Sequence, residues 1–68
     1  MNPEERNKAV KHHLIELGIS FREWCRRAEV PYSVARDLIY GRLDGSKAGK
    51  ASQVKEIIEK EFGIEIFS

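Results

Sequence analysis

The stretch SFREWCRRAEVPYSVARDLIYG, residues 20–41, reads as two short helices joined by a tight turn. Ser20 followed by Glu23 is an S-x-x-E capping box. In it the hydroxyl accepts from the amide three residues on, and the carboxylate reaches back to the cap amide. Phe21, Trp24, Cys25 and Ala28 then recur at helical spacing and mark one apolar face, with Arg22, Arg26 and Arg27 outside it. Glu29 and Val30 make the turn. Pro31 restarts the chain, because proline suits the first position of a helix and breaks its interior. In the second helix Pro31, Ala35 and Leu38 line one side, with Val34 and Ile39 at its margins. At about 100° per residue, Ser33, Arg36, Asp37 and Tyr40 point the other way and Tyr32 sits at the leading edge. Gly41 supplies a left-handed cap that ends the helix.

Upstream, Asn2-Pro3-Glu4-Glu5 is a helix start: an Asn cap, a proline at the first position, and acids that complement the dipole. This helix runs to Leu17 and stops at Gly18. Ala9, Val10, His13, Leu14 and Leu17 share its inner face and Ile15 lies off it, so the element is scaffold for the two helices that follow. His12 and His13 project about 100° apart and cannot chelate one ion. Downstream, residues 41–50 form the one real loop, with three glycines among Arg42, Lys47 and Lys50. It is either a clamp for an anion, since glycines allow close backbone approach and helix N-termini favour negative charge, or a solvated linker. The Walker spacing is not met in it, and the serine or threonine that would hold magnesium is missing. The last helix covers residues 51–62, with Val54, Ile57, Ile58 and Phe62 inward. Glu56 with Lys60 and Lys55 with Glu59 pair along its exposed side, and Gly63 ends it. The final Ile64-Glu65-Ile66-Phe67-Ser68 alternates and is β-prone; it either tucks over the core or pairs with a second copy.

The expected fold is therefore all-α and single-domain, residues 1–68, with four helices near residues 3–17, 21–28, 31–40 and 51–62 and a short extended C-terminal tail. A chain of 68 residues has a small core and buries only about 60% of its unfolded surface. Its single cysteine cannot staple the domain or complete a metal site, which suits a reducing cytoplasm. No apolar run approaches the roughly 20 residues of a membrane helix, and the polar N-terminus does not read as a signal peptide.

Charge is uneven. The net value is only +1, yet residues 20–50 carry seven Lys or Arg against four Asp or Glu, while residues 51–68 carry two against four. The excess falls on the central stretch and its loop, where a phosphate backbone would be met. An enzyme reading has little to build on. Cys25 sits on an apolar helix face with no base beside it, and the carboxylates are spread as caps and surface pairs. No catalytic residue, metal, cofactor or small-molecule substrate is expected.

Residues 20–41 resemble the helix-turn-helix of the lambda-repressor-like (Cro and Xre) superfamily. Cys25 fills that pattern's small position, Val30 its turn valine, and Ala35 and Leu38 its inner apolar positions. Glu29 stands where the family favours glycine, and Phe21 stands where many members place a phosphate-binding glutamine. The run GRLDGSKAGKASQV, residues 41–54, is similar to the G-R-x-x-G-x-x-G-K-A segment of small phage-associated DNA-binding proteins, including Ner-like regulators. The resemblance implies a cytoplasmic, phage- or prophage-type regulator that lays the 31–40 helix in the major groove of duplex DNA. It implies base contacts from Tyr32, Ser33, Arg36, Asp37 and Tyr40. Phosphate contacts would come from Ser20, Arg22, Arg42, Lys47 and Lys50. A homodimer on a two-fold site is expected, because one such helix reads too few base pairs. The alternatives are a protein–protein docking module on the same fold and an architectural recombination or excision factor.

Overall fold

Asn2 closes a complete capping box on the first helix: its side chain accepts from the Glu5 amide at 2.8 Å, and the Glu5 carboxylate accepts from the Asn2 amide at 3.1 Å. The computed structural model describes residues 1–45 and 49–67. Within them α1 spans Pro3–Leu17, α2 Phe21–Ala28, α3 Tyr32–Ile39 and α4 Lys50–Phe62, followed by one 3-10 turn over Ile64–Phe67. The described architecture is all-helical. None of these helices is long and apolar enough to cross a membrane.

Three of the helices end in the same way. A residue one or two positions past the helix takes a left-handed conformation, and two reversed backbone bonds satisfy the last carbonyls. At α1 these run from Gly18 N to Ile15 O and from Ile19 N to Leu14 O, at 3.2 and 3.3 Å. At α3 they run from Gly41 N to Leu38 O and from Arg42 N to Asp37 O, at 3.3 and 2.8 Å. At α2 they run from Glu29 N to Arg26 O and from Val30 N to Cys25 O, at 3.2 and 3.0 Å. Glycine holds φ of 74° and 80° at the first two ends, but Glu29 holds φ 59° at the third. The chain therefore keeps a glycine geometry without a glycine and carries the Cβ strain of it, roughly 1–2 kcal/mol.

The core gathers one to three residues from each element and one from the turn: Val10 and Leu14, Trp24 and Cys25, Val30, then Ala35, Leu38 and Ile39, then Val54 and Ile58, and finally Ile66. α3 packs chiefly on α4 and also touches α1 and α2. Trp24 stacks on Phe21 at 5.8 Å and meets Phe62 at 4.9 Å, tying α2 to α4. His13 closes this group, edge-on to Phe62 at 5.0 Å with Nε2 2.8 Å from a Glu61 carboxylate oxygen.

Several expectations change. The C-terminal tail is not extended: residues 64–67 turn into a 3-10 helix that buries Ile66 to 1% exposure and leaves Ile64 75% exposed. Core burial of one isoleucine outweighed strand propensity, so Ile66 belongs to the monomer's core. The Ser20 box is half made. Its hydroxyl accepts from the Glu23 amide at 3.1 Å, but the Glu23 carboxylate turns to Arg26 and Arg27 instead of the cap amide. Ile39 is not marginal but 3% exposed, whereas Leu17 and Ile57, expected inward, are 46% and 36% exposed. Lys55 does not pair with Glu59; its Nζ donates to the Asp44 carbonyl at 3.2 Å. Pro31 is the cap of α3 rather than its first residue, at φ −64° and ψ 125°.

Candidate nucleic-acid interface

Tyr32 opens α3, and its ring meets Phe21 of α2 edge-on at 5.8 Å. Two guanidinium groups lie over that ring, Arg22 at 4.6 Å and Arg36 at 5.7 Å. Each such contact contributes on the order of 0.5–1 kcal/mol at an exposed site, enough to bias both arginines toward one position. Arg36 Nε then donates to Asp37 Oδ1 at 3.4 Å, and Arg42 Nη1 lies 3.6 Å from the same oxygen. Arg42 also covers the Tyr40 ring at 5.9 Å. Arg22, Tyr32, Arg36, Asp37, Arg42 and Tyr40 are thus joined by one unbroken series of contacts, from the start of α2 to the residue after Gly41. Along it Arg36 and Arg42 share the Asp37 carboxylate, while Arg22 lies over the Tyr32 ring. Ser33 is exposed beside Tyr32 on the same helix.

The remaining expected residues fall differently. Ser20 is engaged as the cap of α2. Lys50 is exposed as the first residue of α4, outside the arginine–tyrosine series; its helix begins at Gly49 with no side-chain cap. Lys47 lies outside the described residues. The loop glycines do not all wait for a ligand: a Cβ on Gly45 would come within 2.8 Å of Lys55 Cδ, so close approach there serves packing on α4.

Arg26 and Arg27 are basic but occupied. Arg26 Nη2 and Arg27 Nε bond one Glu23 oxygen at 2.6 and 2.9 Å. Those hydrogen bonds, Arg26's first, hold the Glu23 carboxyl below its usual range. Cys25 is buried, and burial pushes its thiol up to about 11, so it stays protonated near neutrality. Among the described residues no group of His, Cys, Asp or Glu is placed to hold a metal ion.

Two contributions from α1 were not legible in the sequence. Arg6 sends Nη1 to the Leu38 and Ile39 carbonyls at 3.0 and 3.3 Å, while its guanidinium lies 5.3 Å from the centre of the Phe67 ring. A cation on the last carbonyls of a helix satisfies orphan acceptors and complements the dipole, so Arg6 fixes the C-terminal end of α3. Asn7 and Lys11, one turn apart on α1, line a crevice together with Tyr32, Arg36 and Tyr40. The partner that Asn7 and Lys11 face is set by how α1 docks, which local pattern does not encode.

Comparison of the chain with protein-family models, with characterised proteins and with solved structures finds no match.

Proposed function

We propose that this protein binds duplex DNA sequence-specifically, with α2 and α3 acting as a helix-turn-helix and α3 entering the major groove. The observation that carries the reading is the continuous arginine–tyrosine series on the outer side of α3, next to Ser33 and the exposed Tyr40. An α-helix fits the major groove, where each base pair presents a distinct donor and acceptor pattern. Arg36 reads guanine through its guanidinium, and Tyr32 and Ser33 flank it. Tyr40 marks the far end of the face. Asp37 orients Arg36 and Arg42, and in the groove it accepts from a cytosine amino group. Arg22 and Arg42, at the two ends of the series, neutralise phosphates on either side, with Lys50 and the uncapped start of α4 as a further backbone contact. The chain then acts as a small cytoplasmic regulator of the phage type. It works as a two-fold dimer, for which the exposed Ile57 and Ile64 edge of α4 and the tail offers apolar surface.

Selection on random duplex oligonucleotides tests this. The expected product is a palindromic site with half-sites about one helical turn apart. Arg36→Ala is expected to relax one position per half-site, at a cost of about 1–3 kcal/mol. No enrichment at all would move the function to protein docking, a reading favoured by the net charge of +1 and by Asp37 in the middle of the face.

A further inference from the structure

A cleft of about 170 Å³ opens between α1 and α3. Its walls are the side chains of Val10, Leu14, Phe21 and Ile39, and Lys11 and Arg36 also line it. No carboxylate is among the described residues lining it. Lys11 is exposed, and Asp37 takes Arg36 only through Nε at the long distance of 3.4 Å, which leaves the two terminal nitrogens to donate elsewhere.

We infer that this cleft is a binding site for a small aromatic carboxylate. The size sets the apolar part of the ligand: an apolar cavity of about 150 Å³ accommodates one benzene ring, so a single ring fits and a peptide segment does not. The charge sets the polar part. Arg36 matches a carboxylate with two parallel N–H donors, and Lys11 adds a second cation. A neutral ligand of the same shape would use the walls but offer no charge to either cation. Tyr32 and Arg36 belong both to the cleft and to the outer face of α3. A bound carboxylate therefore competes with DNA for Arg36, a consequence that rests on the DNA reading, whereas the site itself does not.

The test is an amide-resolved NMR titration with sodium benzoate at constant ionic strength, beside benzamide as the neutral isostere. Saturable shifts centred on Val10, Lys11, Leu14 and Ile39 are expected, with benzamide at least ten-fold weaker. Lys11 is exposed, so Lys11→Glu keeps the fold and is expected to bring benzoate down to the level of benzamide. Shifts that scatter over the surface, rise linearly without saturating, or are equal for the two compounds would overturn the site. Fluorescence anisotropy of a labelled duplex then separates the two readings. Several-fold weaker DNA binding at saturating benzoate supports the competition, and an unchanged affinity refutes it. A protein that takes benzoate but no DNA upholds the site and refutes the DNA reading.

Discussion

α2 and α3 are both eight residues long, yet they are held in opposite ways. α2 looks after itself. Ser20 caps its start, Glu23 gathers Arg26 and Arg27 along its outer side, and those two cations sit in the last turn where they suit the dipole. α3 has no side-chain cap and no acid in its first turn. It is held by burial of Ala35, Leu38 and Ile39 and by Arg6, which reaches across from α1 to its last carbonyls. The difference explains which charges lie toward a partner. α2 engages Arg26 and Arg27 internally through Glu23, while its Arg22 lies over Tyr32 of α3; α3 draws stability from elsewhere and keeps Ser33, Arg36 and Tyr40 on a face that packing does not consume.

That contrast can be broken most directly at Arg6. Arg6→Ala removes two charge-assisted hydrogen bonds from the end of α3 and is expected to lower global stability by about 1–3 kcal/mol. Amide exchange should speed up at Tyr40 and Gly41 before it does so in α2. Equal loosening of both helices would show that Arg6 is a general packing residue instead.

At the end of α2 the expected change has the opposite sign. Glu29→Gly relieves the left-handed Cβ strain but adds backbone entropy to the unfolded chain, so the net gain is smaller than the strain, about 0.5–1 kcal/mol. Denaturant midpoints at unchanged slope would measure it. A loss of stability would mean that the Glu29 side chain contributes more than its backbone costs.

The smallest effect belongs to Glu23→Gln. The folded carboxyl is held below the usual carboxylate range by Arg26 and Arg27. Its contribution is thus present above the pKa of the unfolded chain and lost as pH falls through the lower folded pKa. Thermal midpoints of the variant are expected to sit slightly below wild type at pH 7 and to converge with it in acid. A gap that stays constant down to low pH would contradict the ion-pair account.

How much of this was written locally follows from the same comparison. The helices, their starts at Asn2 and Ser20, and the left-handed stops at Gly18 and Gly41 depend on neighbours within four residues, and the spacing of side chains is enough to place them. Glu29 departs from the glycine that the resemblance favours, and the structure adopts the glycine conformation there anyway. What the pattern missed depends on docking. The alternation of Ile64 and Ile66 looks like a strand until the core takes Ile66 alone. Glu23 has two arginines within reach as well as the cap amide, and their charges win. Arg6 lies 32 residues from Leu38 in sequence, beyond any local rule. The candidate face on α3 was legible as a set of outward residues, but not as a connected series, because the cation–ring contacts of Tyr32 join residues from two helices.

The most direct measurement of the central claim is the salt dependence of binding to random duplex DNA, wild type beside Arg22→Ala/Arg42→Ala. The account predicts a linear fall of log affinity with log salt for wild type, and a slope shallower by about 1.8 for the double variant, which releases two fewer counterions. A wild type that shows no binding at low salt, or a double variant with an unchanged slope, would contradict it.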